Sequence, residues 1–249
     1  MEDAVYLEMS AVEARHWWFV GRRRILQAEI GRHLAPAPSG GRRVLEVGCG
    51  TGGNLDLLKG FGSVDAIEPN ATARALAARS SGVALHSGGL PDELPQFAAG
   101  FDLIAAFDVI EHVEADKASI EALAARLQPG GVLAVTVPAF AALWSRHDER
   151  HHHKRRYSRR GLKEIFRDSG LEIARLTYFN SFLFPVAATV RLAERAGVIE
   201  SSGADRLPPE GLNSLLGGIF GSEAQLLRWT SPPFGLSLLL IARRPVEPV

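Results

Sequence analysis

The run Val44-Leu45-Glu46-Val47-Gly48-Cys49-Gly50-Thr51-Gly52-Gly53 limits the fold of this chain more than any other stretch. A short apolar strand runs straight into clustered glycines, which open a helix. Glycine is needed where the backbone takes a positive φ and where a side chain would hold a ligand away from the main chain. The free N–H groups at the start of the next helix point into the crevice beyond the strand ends, where ligands bind in open α/β sheets. Glu68 follows Gly48 by twenty residues, at the tip of the next apolar run. A carboxylate there can accept hydrogen bonds from both hydroxyls of a ribose. Gly48, Gly50 and Gly53 also satisfy dinucleotide spacing, so the loop alone fits a nicotinamide cofactor, another nucleoside or a bare tight turn.

The surroundings of the loop set the fold class. Val44–Val47, Val64–Ile67, Val83–His86, Phe101–Ala105 and Val132–Thr136 read as strands, with helical stretches at about 53–59, 70–80 and 115–127 between them. The strand runs are mostly apolar rather than alternating, as expected for parallel strands covered on both faces. Gln128-Pro129-Gly130-Gly131 reads as the turn that ends the third helical stretch. A helix is expected over Arg159–Ser169, closed by Gly170, with a sixth strand over Leu171–Phe179 and a seventh over Gly235–Ala242. Residues 180–234 break the alternation, with helical pieces near Pro185–Ala196 and Leu212–Trp229 separated by Ser201-Ser202-Gly203 and Pro208-Pro209. The expectation is a single α/β unit with a Rossmann-like, doubly wound, seven-stranded sheet.

Composition narrows the function classes. Twenty-eight basic and 28 acidic residues cancel, so no global field holds a polyanion and a nucleic-acid partner is disfavoured. Cys49 is the sole cysteine, which rules out an intramolecular disulfide and suits a reducing compartment. The first residues lack the pattern of a secretory signal, and no apolar run approaches the roughly 18 residues of a membrane span. A soluble, cytoplasmic protein is expected.

Four segments together resemble class I S-adenosylmethionine-dependent methyltransferases. They are Val44–Gly52, Ile67-Glu68-Pro69-Asn70, the run Phe101–Val113 containing Asp108-Val109-Ile110-Glu111-His112, and Leu127–Leu133, over roughly 44–137. The resemblance extends to ubiquinone-type O-methyltransferases and, through His16-Trp17-Trp18-Phe19-Val20-Gly21-Arg22-Arg23-Arg24, Arg155-Arg156-Tyr157 and Tyr178–Ser181, to a bacterial branch of the superfamily. It implies a mostly parallel sheet with an antiparallel last strand and S-adenosyl-L-methionine as cofactor, leaving S-adenosyl-L-homocysteine. It also implies roles for matching positions. Glu46, Gly48 and Gly50 would meet the amino-acid end of the cofactor, and Glu68 with Pro69 its ribose. Gly88, Gly89 and Leu90 would flank the adenine, Phe107 and Asp108 would line the pocket beside the sulfonium, and Trp18 and Arg23 would close over it. Ordinary core packing is the competing reading for Phe107.

Residues for the acceptor are less constrained. His147, with Asp148 beside it, and His151 are candidate proton acceptors, with His152 and His153 further along the same run, and Asp108 is a third candidate catalytic group. Arg155 and Arg156 can either bind an anionic acceptor or brace nearby carboxylates. The acid-x-x-Glu-His pattern Asp108–Glu111–His112 resembles one associated with a divalent ion in ubiquinone-type enzymes. Loop hydrogen bonding and helix capping are the reading preferred here, with no metal assigned.

The domain organisation expected is a helical lid over 1–40, a cofactor-binding core over 41–179, a helical insertion over 180–234 that covers the acceptor, and a final strand and tail over 235–249. Phe182, Leu183, Phe184, Leu215, Leu216, Ile219, Phe220 and Trp229 make the insertion apolar, which suits a greasy acceptor pocket, a homodimer surface or peripheral membrane contact alike. The expected activity is methyl transfer to a small molecule, oxygen favoured, with an apolar or aromatic acceptor slightly favoured. The rivals are a non-catalytic S-adenosylmethionine-binding scaffold and an NAD-dependent oxidoreductase.

Overall fold

The computed structural model describes residues 2–198 and 206–246, so Ser201-Ser202-Gly203 and the last three residues lie outside the described part. Strands β1 (Arg43–Val47), β2 (Ser63–Ile67), β3 (Ala84–His86), β4 (Phe101–Phe107), β5 (Leu127–Pro138), β6 (Glu172–Phe179) and β7 (Ser237–Arg243) form one sheet. Their order is β3-β2-β1-β4-β5-β7-β6. Strands β1 to β5 pair in parallel, and β7 runs antiparallel to both β5 and β6. This is the doubly wound sheet with a reversed last strand that the sequence led us to expect. Strand order turns around between β1 and β4, which opens a crevice at their C-terminal ends.

Neighbouring residues along each strand go to opposite faces, and both faces are buried. Leu45, Ile104, Leu133 and Leu240 enter one apolar layer with Ile120 of α5 (Asp116–Ala124) and Leu162 of α7 (Arg159–Ile165). Val44, Leu103, Ala134 and Leu239 enter the other, with Ile25 of α2 (Trp17–His33) and Phe220 of α9 (Glu210–Leu226). Three further helices belong to the layers and the N-terminus: α1 (Asp3–Val12), α3 (Leu55–Lys59) and α4 (Ala71–Ser81).

The expected turn at Gln128–Gly131 is instead the beginning of β5, and the preceding helix stops at Ala124. The reason is hydrogen bonding on both sides. Leu127 faces Phe101 of β4, Gly130 donates to the Arg244 carbonyl, and Arg244 donates to that of Gly131. Gly130 takes φ 79°, and a Cβ on Gly131 would sit 2.8 Å from the Phe101 carbonyl oxygen, so the glycines permit a bulge inside the strand.

The insertion carries α8 (Phe184–Arg195) and α9. Helix α9 lies against α2: Phe220 is fully buried, and a Cβ on Gly21 would come 2.6 Å from its ring. The Asn213 side chain accepts from the Trp17 N–H and donates to the Arg15 carbonyl, so the insertion itself satisfies the start of α2. Elsewhere the segment stays apolar on the outside, with Val186, Leu192, Leu215 and Trp229 all exposed. Among the described residues no helix is long and apolar enough to cross a membrane.

Candidate functional site

The loop after β1 is shaped by three glycines in the left-handed region: Gly48 (φ 69°), Gly50 (φ 56°) and Gly52 (φ 93°). A Cβ on Gly48 would fall 2.6 Å from a Val109 methyl, so the β4 loop closes on this backbone as tightly as hydrogen allows. Two buried carboxylates flank the loop. Glu46 accepts from the Asn54 side chain at 3.0 Å through one oxygen, while the other has no hydrogen-bond partner among the described residues. Burial pushes its carboxyl up to about 8, against the Asn54 hydrogen bond and the charge of Arg22. Glu68 is the more hydrogen-bonded of the two, accepting from the Gly50 N–H at 2.8 Å and the Asn70 N–H at 2.9 Å. Burial raises its carboxyl too.

Helix α1 lies across this loop. Asp3 accepts from the side chains of Asn70 and Thr72, and the Met9 methyl reaches to 3.6 Å from where a Gly50 Cβ would stand. Tyr6 is buried, and its hydroxyl is pushed up to about 12 by burial and by the charge of Glu68. Arg23 donates to the carbonyls of Glu13, Ala14 and Gly53, tying the α1–α2 turn to the glycine loop. The arginine that enters the crevice is its neighbour, Arg22. This residue is 4% exposed, pairs with Asp108 at 2.8 Å, donates to Thr136 Oγ1 at 3.2 Å, and lies over the rings of Trp18 and Phe107. Among the described residues its Nε has no hydrogen-bond partner. Arg22 and Trp18 are four apart on one helix, so the helical period was the signal that separates Arg22 from Arg23.

Asp108 holds a left-handed backbone (φ 54°) just past β4, with its N–H donating to the Thr136 carbonyl and its carboxylate accepting from the Thr136 hydroxyl. Phe140 and Asn180, just past β5 and β6, are left-handed as well. Such conformations cost energy and gather around ligand clefts. Gly89 follows β3 and exchanges hydrogen bonds with Glu93, and Leu90 packs against the apolar layer. Pro69 sits between Glu68 and the start of α4, its carbonyl accepting from Arg74.

The histidine-rich run is partly a short helix, α6 (Arg146–Arg150), capped by Ser145 and Asp148. Asp148 is fully buried and does not serve His147. It accepts from His153 Nδ1 at 2.8 Å and Arg156 Nε at 2.8 Å, and these hold its carboxyl far below the usual range despite burial. The rings of His147 and His151 stand 4.2 Å apart. Arg155 meets Asp116 at 2.8 Å, so both arginines of the pair brace carboxylates. Of the metal pattern weighed above, Asp108 is taken up by Arg22 and Thr136, whereas Glu111 and His112 converge with His153, a residue the pattern did not include.

A family model described as "Methyltransferase domain" matches residues 19–176, from α2 through most of β6. No curated protein matches the chain in sequence. Among solved structures, a chain from the complex of the Haloferax volcanii Trm112 methyltransferase activator with its designated methyltransferase has TM-score 0.61 at 20% identity, covering 99% of this chain and 97% of that one. Phosphoethanolamine N-methyltransferase 2 of Haemonchus contortus, solved with S-adenosyl-L-methionine, gives 0.56 at 16% identity, over 88% of this chain and 52% of that one. The [4+2]-cyclase SpnF gives 0.55 at 22% identity, over 90% and 82%. At these identities the likenesses concern the fold.

Proposed function

Since this chain belongs to the methyltransferase-domain family, among the class I S-adenosylmethionine-dependent methyltransferases, we propose that it methylates an oxygen of a small apolar or aromatic molecule. The observation that supports the cofactor half of this reading is the pair of buried carboxylates on either side of a loop whose glycines leave the backbone bare, and the apolar insertion supports the choice of acceptor. The unpartnered oxygen of Glu46 suits the ammonium of the cofactor's amino-acid end, and Glu68 with Pro69 suits its ribose. Gly48 and Gly50 would pass beneath that amino-acid end, Gly89 and Leu90 beside the adenine, and Phe107 beside the sulfur. Trp18 and Arg22 would close the pocket from α2, with Arg23 holding the loop in place.

When bound, the cofactor supplies an electrophilic methyl group on a positively charged sulfur. The chain contributes alignment, exclusion of water and removal of the acceptor's proton. The residues of the chain would hold an acceptor hydroxyl in line with that methyl group and take up the proton the hydroxyl gives off. His147 and His151 are the proposed proton acceptors, with Asp108, fixed by Arg22, orienting the acceptor. Residues 1–40 act as the lid and 180–234 as the acceptor's cover. The apolar side chains of α8 and α9 support that role.

Calorimetry with S-adenosylmethionine, combined with an S-adenosylhomocysteine release assay against fractionated small-molecule extracts, tests the proposal. Binding with product release is the expected result, and His147→Ala should lower release while leaving cofactor affinity intact. Binding with no release from any fraction would favour the scaffold reading.

A further inference from the structure

The turn after β6, Asn180-Ser181-Phe182, is held firmly by its backbone, yet one side chain in it is left unsatisfied. The buried carboxylate of Glu223 on α9 accepts from the Ser181 N–H at 2.7 Å and the Phe182 N–H at 2.8 Å, and the Asn180 N–H faces it too. The Asn180 carbonyl accepts from the Leu236 N–H, and Ser181 Oγ donates to the Phe234 carbonyl at 2.7 Å. Asn180 keeps a left-handed backbone (φ 57°) and is 0% exposed. Neither Oδ1 nor Nδ2 of its side chain has a hydrogen-bond partner among the described residues. A buried carboxamide with both ends unpaired is costly, because folding removes its water and returns nothing. Such a group, set in a turn that another buried side chain fixes, has the preorganisation of a recognition element.

The turn stands on the ligand edge of the sheet. Strands β5 and β6 both run antiparallel to β7, and β4 is parallel to β5, so Asp108, Phe140 and Asn180 follow strand ends on one edge. The Ala139 N–H donates to the Leu236 carbonyl and the Leu236 N–H to that of Asn180, which sets the last strand ends side by side. Phe140 has a left-handed backbone as well (φ 59°), a costly state for a bulky residue. Its ring lies parallel to that of Tyr178 at 5.2 Å and 5.7 Å from that of Phe184. Phe184 in turn meets Phe234 at 5.2 Å, and Phe234 remains 42% exposed. A half-open aromatic shelf thus adjoins the unpaired carboxamide. Three strand spacings of ~4.8 Å separate Asp108 from Asn180, about 14 Å in all, which leaves room for one or two fused rings between their side chains.

We propose that Asn180 determines acceptor specificity: its carboxamide hydrogen-bonds a hydroxyl at the far end of an uncharged, flat, fused-ring phenol lying on Phe140 and Phe184, whose other end meets Asp108. This inference rests on the methyl-transfer reading above. A carboxamide both donates and accepts, which matches a hydroxyl rather than an ion. The aromatic shelf favours a flat ring over an aliphatic chain or a sugar. The Glu223 carboxylate behind the turn opposes a carboxylate or phosphate at that end of the acceptor. A site built to hydrogen-bond a hydroxyl rejects the analogue that lacks it, because the buried amide is then left unpaired.

The test uses the full chain with S-adenosylhomocysteine and two probes: a dihydroxynaphthalene with its hydroxyls on opposite rings, and the naphthol that lacks one of them. Calorimetry should show the dihydroxy probe binding about tenfold more tightly or better. Asn180→Gly keeps the left-handed turn and removes only the carboxamide. It should bring the two affinities together without lowering the ligand-free melting temperature. With S-adenosylmethionine instead, the variant's loss on the dihydroxy probe should appear in KM rather than in kcat. Equal affinities for the two probes in the unaltered protein, or no binding of either, overturn the proposal. So does a clear drop in the melting temperature of Asn180→Gly, which would reveal a structural partner for the amide. Affinity for S-adenosylhomocysteine is measured separately. Its absence removes the methyl-transfer reading, whereas selective probe binding to the cofactor-free chain, lost in Asn180→Gly, would leave the Asn180 site standing.

Discussion

Glu46 and Glu68 are buried to nearly the same degree, and burial raises both carboxyls, but their hydrogen bonding differs. Two backbone N–H donors support a charge on Glu68, whereas Glu46 has a single side-chain amide. Glu68→Ala should weaken S-adenosylmethionine binding by about 1–3 kcal/mol, the order expected for lost charge-assisted hydrogen bonds; calorimetry showing unchanged affinity would remove its ribose role. For Glu46 the folded value of about 8 lies above that of an ordinary glutamate. The stability this contributes is therefore fully present below the unfolded value and is lost as pH rises through 8. The ligand-free melting temperature should fall across that window, and Glu46→Gln should flatten the fall. Parallel slopes for the two proteins would mean that Glu46 ionises normally. Glu68 was legible because the length of one helix and one strand fixes its distance from Gly48. The partner of Asp148 was not: adjacent residues on a helix do not face one another, so His147 yields to His153, which the chain brings back after α6.

Helices α2 and α9 show what sequence patterning leaves open at the next scale. The alternation of strands and helices from β1 to β5 was readable because each parallel strand is apolar on both faces. That α9 would lie on α2 was not readable, since the contact rests on small residues. A Cβ on Gly21 would meet Phe220, and one on Gly221 would meet Arg24. Phe220 also stacks near Phe179 and meets Trp17 edge-on, linking insertion, sheet and N-terminal helix. Phe220→Ala should cost about 3–5 kcal/mol by chemical denaturation, the usual range for a buried phenylalanine; a loss below 1 kcal/mol would mean that the two helices do not depend on each other. The Pro-Gly-Gly of β5 misled for a related reason. Local turn propensity gave way to hydrogen bonds offered from β4 and β7, neither of which is near in sequence.

For the whole molecule, any ligand that binds only the folded state raises its melting temperature by mass action. S-adenosylmethionine at about a hundred times its dissociation constant should stabilise by ~2.7 kcal/mol, while NAD at the same concentration should not shift the melt. The reverse result would restore the oxidoreductase reading. The sheet order has a consequence of its own. Among the described residues, strand β6 pairs with the sheet only through β7, whose residues 237–243 are made more than fifty positions later. On the ribosome, β6 must therefore wait beside an open β5 edge until the last strand emerges and slides between them. Nascent chains halted before residue 237 should stay sensitive to protease around 172–179, and released chains should resist it; resistance in the halted chains would show that β6 has found another temporary partner.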